Sequence, residues 1–104
     1  MTANLLLKGL PPTHPGEVLR EDILPAVGRP KAEIARLLGI GRRTLYDLLE
    51  EKQPVTAQMA LRLGKLFGNS AEFWLNLQRN YDLRVAGEAM AETLQAIPTL
   101  PTAA

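Results

Sequence analysis

The feature that most constrains the fold is a helical pattern broken once by glycine, in the stretch Glu33–Leu49 (EIARLLGIGRRTLYDLL). Apolar residues recur at spacings of three and four on both sides of the break, which is typical of amphipathic α-helices. Gly39 can adopt the positive φ that ends a helix and turns the chain sharply, at no steric cost. The stretch therefore predicts two short helices joined by a tight turn.

The remaining chain favours helices throughout, because alternating runs of apolar and polar residues rich in Val, Ile and Thr are absent. Helices are predicted over about residues 15–24, 31–38, 42–50, 57–67 and 69–85, with a short sixth over 88–96. Pro25 is expected to stop the first helix, and Asn69 with Glu72 to form a capping box for the fifth. The predicted fold class is all-α, with an arm over 1–13, one helix-turn-helix domain over 14–86, and a short helix with a frayed tail over 87–104.

Composition excludes several classes of protein. The chain has no cysteine and one histidine, His14, so it lacks the side chains for a disulfide or a thiolate metal site. No acid–base pair, nucleophile or metal-ligand set can be assembled, which argues against an enzyme and against a cofactor. The apolar runs are too short for a membrane span, and the N-terminus lacks the regions of a signal peptide. A cytoplasmic setting is expected, and His14 is expected to cap the first helix.

Basic residues are concentrated around the interrupted helix, although the net charge of the whole chain is only +1. Between residues 29 and 46 there are five cationic side chains and one anionic side chain, a local net charge of +4. The cations are Arg29, Lys31, Arg36, Arg42 and Arg43, and the anion is Glu33. A basic face on a near-neutral protein suits DNA binding, while charge alone favours an ordinary solvated surface.

The helix after the turn has one apolar face and one polar face. At about 100° per residue, Leu45, Leu48 and Leu49 face the domain, whereas Arg43, Tyr46, Asp47 and Glu50 face away. Arg42 and Thr44 flank the first turn. In helix-turn-helix proteins the first residues of this second helix reach base edges in the major groove of DNA. The pattern therefore predicts DNA reading by this face, and an i,i+4 ion pair between Arg43 and Asp47 on a plain surface helix is the alternative.

Longer motifs extend this interpretation to most of the chain. Pro12–Leu24 (PTHPGEVLREDIL), the interrupted helix and Pro54–Leu83 (PVTAQMALRLGKLFGNSAEFWLNLQRNYDL) resemble the HigA family of antitoxins, in the VapI-like branch of the Xre/Cro-type helix-turn-helix repressors. The block SAEFWLNLQ is the most specific part, since generic Cro-like domains do not carry it. The resemblance covers about residues 12–86. It implies a five-helix, lambda-repressor-like domain that dimerises and binds palindromic operator DNA.

The resemblance also implies a partner and roles for particular residues. Members of the family bind and silence a RelE/HigB-like toxin, a ribosome-dependent mRNA endonuclease, and the pair represses its own promoter. Carried over by position, the residues that read bases are Arg42, Arg43, Thr44 and Tyr46, and Lys31 lies near the phosphates. A stand-alone Xre-type repressor without a toxin partner and an antitoxin that has lost DNA binding are the alternatives.

The chain departs from the family pattern at both ends of the second helix of the pair. Relatives commonly have a capping serine where this chain has Gly41, and Asn-Gly-Lys-Arg where it has Glu50-Glu51-Lys52-Gln53. Glycine offers no side-chain acceptor for a cap, and acids repel phosphates. The departures predict a weaker cap and weaker phosphate contacts from this loop.

The fifth predicted helix carries an aromatic and apolar stripe formed by Phe73, Trp74, Leu77 and Tyr81. Phe73 and Leu77 are predicted to lie in the core. A small domain seldom buries every aromatic side chain of a terminal helix, so Trp74 and Tyr81 are predicted to lie at the interface of a homodimer.

A toxin-binding surface is predicted near the N-terminus. A toxin that cleaves RNA is expected to be basic, so its inhibitor should offer it acids. Glu17, Glu21 and Asp22 form an acidic patch on the first helix, and the apolar Leu5, Leu6 and Leu7 precede it. Both sets are predicted to contact the toxin. A disordered leader beside a solvated acidic face is the alternative.

Overall fold

The computed structural model describes residues 12–102, and every regular element within them is helical. Helix α1 is the continuous segment formed by Pro15–Val18, Leu19–Ile23 and Leu24–Val27. It is followed by α2 (Lys31–Leu38), α3 (Arg42–Leu49), α4 (Ala57–Phe67), α5 (Ala71–Ala89) and α6 (Ala91–Ala96). The predicted all-α fold class, with a short sixth helix, is confirmed for this part of the chain.

Helix α1 runs through the proline that the sequence predicts to stop it, so that prediction is wrong. Leu19–Ile23 is a π-helical turn, in which the N–H of Leu24 donates to the carbonyl of Leu19, five residues earlier. The wider turn accommodates Pro25, which has no N–H to donate and would collide with a carbonyl in a regular α-helix. The chain stays helical to Val27 and ends at Gly28, whose φ is 72°.

The helices enclose one apolar core. Helix α4 packs against α2 and α5, and α1 packs against α3 and α5. The largest fully buried side chains include Trp74, Leu19, Ile34, Leu45, Leu48 and Leu63. Helices α1 and α3 touch backbone to backbone at Gly16, where an added Cβ would overlap the carbonyl oxygen of Leu48. This contact holds α3 directly against α1.

The start of α5 differs from the predicted capping box. The N-cap is Ser70, whose Oγ accepts a hydrogen bond from the N–H of Phe73 at 3.0 Å. Asn69 instead accepts a hydrogen bond from the indole Nε1 of Trp74 at 2.8 Å. With its N–H satisfied, the Trp74 side chain can be buried, and none of its surface is exposed. The predicted place of Trp74 at a dimer interface is therefore wrong.

Phe73 occupies the surface position that the sequence predicts for Trp74. It is 40% exposed, and its ring meets the Trp74 ring edge-on. Consecutive residues of a helix point about 100° apart, so only one of the two rings can face the core. Leu77 packs against the core, as predicted. Tyr81 is half-buried, with its ring centroid 4.9 Å from that of His14.

The helical structure extends further towards the C-terminus than the sequence predicts. Helix α5 continues to Ala89 instead of ending near residue 85, and it crosses the domain boundary predicted between residues 86 and 87. Its buried residues, Trp74 and Gln78, lie in its first half, and α6 has no buried residue. The second half of α5 and all of α6 therefore leave apolar side chains uncovered.

His14 caps α1, as predicted. Its Nδ1 accepts a hydrogen bond from the N–H of Gly16 at 2.9 Å. Burial lowers the pKa of His14, and the nearby carboxylates of Glu51 and Asp82 oppose this effect. A protonated Nδ1 is a donor and cannot accept the hydrogen bond from Gly16. The cap therefore requires the neutral imidazole.

We expect the free energy of unfolding to fall as the pH drops below about 6.5, the ordinary pKa of histidine. The unfolded chain takes up a proton on His14 near that pH, whereas the folded chain does so only at lower pH. Between the two pKa values the unfolded state binds more protons, so acidification costs up to about 1.4 kcal/mol per pH unit. Urea denaturation at a series of pH values measures this slope.

The matched control is His14→Asn, which keeps a side-chain acceptor for the cap but does not titrate in this range. His14 is the single histidine of the chain. The part of the slope that begins near pH 6.5 should therefore disappear in the variant. The same slope in both proteins would contradict the assignment.

Candidate nucleic-acid interface

The turn between α2 and α3 has the geometry predicted from Gly39. Gly39 has a φ of 74°, and the N–H of Ile40 donates to the carbonyl of Ala35 at 3.0 Å. This hydrogen bond closes the end of α2 in the manner of a Schellman motif. Ala35 is buried in the core, and the guanidinium of Arg62 on α4 donates to the carbonyl of Leu38 at 2.6 Å. The turn is thus fixed by its own backbone and by a side chain from α4.

Helix α3 presents the predicted faces to the core and to solvent. The leucines at its inner face, Leu45, Leu48 and Leu49, are buried. Arg42, Arg43 and Tyr46 are exposed, and Thr44 is half-buried at the edge of the same surface. The basic and aromatic residues that the sequence selects therefore lie together on one accessible face of α3.

Arg43 makes the ion pair that the alternative interpretation predicts, and it is still exposed. Its Nε lies 3.9 Å from Oδ2 of Asp47, one turn further along α3, while its side chain is 90% exposed. An ion pair this long between exposed groups contributes little stability, about 0–1 kcal/mol. The guanidinium therefore remains accessible to a ligand in front of α3.

Lys31 lies beside the exposed face of α3, although it belongs to the start of α2. Its Nζ is 6.0 Å from the centroid of the Tyr46 ring, at the limit of a cation–π contact. The structure thus brings together two predicted site residues from different helices. Their contact extends the positive surface from the first turn of α3 to the first turn of α2.

The loop after α3 has an acidic residue in a conformation that favours glycine. Glu51 has a φ of 62°, and its N–H donates to the carbonyl of Leu48 while the N–H of Lys52 donates to that of Asp47. These hydrogen bonds form a second Schellman motif, which places a left-handed residue after the helix. The left-handed conformation costs an L-residue about 1–2 kcal/mol. Glu51 stands where the resemblance gives relatives a glycine.

The other acid of this loop, Glu50, is paired locally. Nζ of Lys52 lies 2.9 Å from its Oε1, and this hydrogen bond lowers the pKa of Glu50 and raises the pKa of Lys52. Both side chains are exposed, so the pair is screened by solvent. The loop therefore remains charged at neutral pH, with its lysine already engaged by its own acid.

Arg20 of α1 connects the acidic patch to α3, a contact that the sequence pattern does not predict. Its Nη1 donates to the carbonyl of Leu49 at 2.7 Å and lies 3.3 Å from Oε2 of Glu51. Its Nε donates to Oε2 of Glu21 at 2.8 Å. Of the predicted toxin-binding acids, Glu21 is therefore engaged by Arg20. Glu17 and Asp22 are exposed on the same helix.

Gln78 is the second residue that sequence reasoning missed. Its Oε1 accepts a hydrogen bond from the N–H of Val55 at 2.7 Å, and its Nε2 donates to Oδ1 of Asp82 at 2.8 Å. The buried amide holds the connection between α3 and α4 against α5. This role gives a structural reason for the glutamine in the block SAEFWLNLQ.

Three predicted toxin-binding residues, Leu5, Leu6 and Leu7, lie outside the described residues. Within residues 12–102 no group of three or more His, Cys, Asp or Glu side chains comes together that could hold a metal ion. Over the same range, the helices lack the combination of length and apolar character that crossing a membrane requires.

The fold and this face define a class of protein. Two short helices meet at a glycine turn, the second is held against the domain by its leucines, and its basic outer face is free. This is a helix-turn-helix domain of the repressor type. No family model matches the chain, but individual proteins do.

The chain is similar in sequence to a virulence-associated protein and to an antitoxin. It is 39% identical over 77 residues to virulence-associated protein I of Dichelobacter nodosus, an alignment that covers 74% of this chain and 71% of the relative. It is 35% identical over 72 residues to antitoxin HigA-1 of Vibrio cholerae, covering 69% and 68% respectively.

Solved structures agree with this similarity. Pseudomonas aeruginosa antitoxin HigA with the higBA promoter superposes with a TM-score of 0.82 at 38% identity, covering 86% of this chain and 99% of that one. Antitoxin GraA in complex with its operator gives a TM-score of 0.83 at 40% identity, covering 90% and 96%. The chain belongs to the HigA family of Xre-type antitoxins.

Proposed function

We propose that this protein is the antitoxin of a type II toxin–antitoxin system, which binds operator DNA through α3 and neutralises a RelE/HigB-like mRNA endonuclease. The observation that carries the proposal is the accessible basic face of α3, backed by buried leucines. Family members whose structures include a promoter or an operator support the DNA-binding part. A stand-alone repressor without a toxin is the second candidate, because the DNA-reading face is common to both.

Two kinds of DNA contact are proposed for this surface. Arg42 and Arg43 open α3, so they are proposed to read base edges, with Thr44 and Tyr46 beside them. Lys31 belongs to another helix and is proposed to contact phosphate. Base contacts give specificity, whereas phosphate contacts give affinity without sequence preference. Substitutions at base-reading residues should therefore lower specificity, whereas substitutions at phosphate-contacting residues should lower affinity for every DNA sequence.

We expect Arg43→Ala to reduce discrimination between operator and random DNA by about 1–3 kcal/mol, because one arginine can make a bidentate contact with guanine. Lys31→Ala should weaken binding to both DNAs alike and lower the salt dependence of binding. Titration of both DNAs at several salt concentrations measures the two effects. Arg79→Ala removes the same charge from α5 and serves as the control.

An equal loss for operator and random DNA in Arg43→Ala would contradict base reading and make Arg43 a phosphate contact. If neither DNA is affected by either substitution, α3 is not the DNA-reading helix. The proposal then loses its main support.

A homodimer is proposed because one recognition helix covers only a few base pairs. Palindromic operators are read by two helices on half-sites about one turn of DNA apart. The dimer interface is proposed to include α5 and α6, with Tyr81 among its residues. Apolar side chains that the protomer leaves exposed support this choice, namely Leu83, Val85, Met90 and Leu94.

The toxin is proposed to bind the acidic face of α1, together with the segment that contains Leu5, Leu6 and Leu7. Glu17 and Asp22 are exposed, and they lie on a different helix from the DNA-reading residues. Glu21 is proposed to take part through its ion pair with Arg20. A basic toxin would be attracted to this patch.

We expect Glu17→Lys to weaken toxin binding by about tenfold or more, because it places like charges across the contact. Glu72→Lys makes the same charge change at an exposed site on α5 and should have no effect. The measurement is co-purification with the product of the neighbouring gene, together with rescue of growth arrest. A chain lacking residues 1–13 tests the leucines in the same assay.

If the truncated chain neutralises the toxin as well as the full chain, the N-terminal leucines are not part of the contact. If Glu17→Lys and Glu72→Lys bind the toxin equally well, the acidic face of α1 is excluded as the toxin-binding surface. Absence of any toxin gene beside this one would favour the stand-alone repressor.

A further inference from the structure

An apolar groove runs between α2 and α4, away from the residues proposed to read DNA. It has a volume of about 480 Å³ and is lined by Leu37, Leu38, Leu61, Arg62, Lys65 and Leu66. A second depression of about 300 Å³ continues it towards the end of α1 and shares Leu37 and Leu66 with it. We call the two together the α2–α4 groove. Leu37 and Leu61 are 45% and 65% exposed, which is unusual for leucines on neighbouring helices of a small domain.

The rim of the α2–α4 groove is positively charged. Arg62 and Lys65 lie along α4, while Arg29, at the far end of the groove, is paired with Glu33, its Nη1 lying 2.6 Å from Oε2. No aspartate or glutamate lines either part of the groove, among the residues that the structure describes. An occupant should therefore be apolar on one side and carry a net negative charge.

One segment of this chain has both properties, and its apolar side chains are not buried among the residues that the structure describes. Residues 88–102 contain Glu88 and Glu92 but no lysine or arginine. Met90, Leu94 and Ile97 recur at the spacing of one helical face, and they are 43%, 47% and 59% exposed. None of the residues of α6 is buried. Helix α6 thus presents an uncovered apolar face within an acidic segment.

We propose that α6 of one protomer docks into the α2–α4 groove of a second copy, and that the exchange is reciprocal. The leucines of the groove then cover Met90, Leu94 and Ile97, and the cationic rim attracts the acidic segment. Reciprocal docking makes a closed, twofold dimer in which the contact occurs twice. Each copy needs to supply only half of the roughly 1,200–2,000 Å² that a stable interface buries. This inference rests on the proposed homodimer and specifies how it is built.

The test uses the full chain and charges introduced at exposed positions. Leu61→Glu in the groove and Leu94→Lys on α6 should each raise the dimer dissociation constant by about tenfold or more, since each places a charge in the apolar contact and opposite groups of the same sign. Ala32→Glu adds a carboxylate at an exposed position of α2 that lines neither part of the groove, and it should leave the dimer unchanged. Sedimentation equilibrium measures the association, and circular dichroism checks that the variants remain folded.

Cysteine pairing gives an independent measurement, because the chain has no cysteine of its own. A mixture of the Leu61→Cys and Leu94→Cys variants should form a disulfide-linked heterodimer on mild oxidation. The same two substitutions in one chain should give a crosslinked dimer, not an internally crosslinked monomer. An internally crosslinked monomer would mean that α6 folds back on its own groove and would overturn the inference.

Two further outcomes separate this inference from the function that it rests on. If Leu83→Glu on α5 dissociates the dimer while Leu61→Glu does not, the homodimer exists but pairs through α5, and only the groove inference fails. If the wild-type chain is monomeric at micromolar concentrations and on operator DNA, the proposed homodimer fails, and the groove inference fails with it.

Discussion

Gly16→Ala is expected to destabilise the domain by about 3 kcal/mol, the upper end of the range for overpacked interiors. The added methyl group would overlap the backbone carbonyl of Leu48 in α3. Neither side can relieve the overlap by rotating a side chain, so α1 and α3 must move apart. Urea denaturation followed by circular dichroism measures the loss. Operator binding should fall as well, since α3 carries the DNA-reading face.

The matched control is the same substitution at Gly87 in α5, where an added Cβ meets nothing within 4 Å. Alanine favours a helix over glycine by about 1 kcal/mol, so Gly87→Ala should be neutral or stabilising. Opposite signs for the two substitutions would establish the close approach of α1 to α3. A wild-type stability for Gly16→Ala would contradict it.

Trp74→Ala is expected to cost about 3–5 kcal/mol of unfolding free energy, because the side chain is fully buried and its removal leaves a large cavity. For a domain of this size that loss is a large fraction of the total stability. Asn69→Ala should cost about 1–3 kcal/mol, since it leaves the indole N–H buried without an acceptor. Phe73→Ala, at the neighbouring exposed position, should cost much less.

Thermal unfolding of the three variants measures the three losses of stability and ranks them. A dimer interface residue would behave differently, because its replacement would give folded monomers without a loss of protomer stability. If Trp74→Ala is folded and monomeric, Trp74 lies at the dimer interface, and its burial in the protomer is contradicted. Equal losses for Phe73→Ala and Trp74→Ala would contradict the orientation of α5.

Local patterns were sufficient to predict the helix-turn-helix. Gly39 marks the turn because few residues other than glycine adopt its φ readily, and the leucines of α3 define its inner face through spacing alone. The exposed positions of Arg42 and Arg43 follow directly from that spacing. Each of these inferences depends on residues within a few positions of one another, which is the range over which helical periodicity acts.

The predictions failed where the outcome depends on a single helical position or on distant residues. Trp74 and Phe73 are adjacent, so a shift of one residue in the start of α5 decides which ring is buried. The helix passes Pro25 because a π-helical turn precedes it, which the simple rule for proline does not include. Arg20 and Gln78 bind backbone groups 29 and 23 residues away, a separation at which sequence spacing carries no information.

The π-helical turn of α1 makes this segment respond differently to substitution and to deletion. Asp22 is exposed, so its side chain can be exchanged at little cost to packing. Removing the whole residue would convert the turn to regular α-helix with Leu24 still near the face of Leu19, because a π-helical turn differs from an α-helical turn by one residue. Pro25 would then meet a carbonyl that the wider turn now keeps away, at a cost of about 3 kcal/mol or more. Asp22 should therefore tolerate other side chains in a substitution scan. Its deletion should not be tolerated, because the turn needs the extra residue.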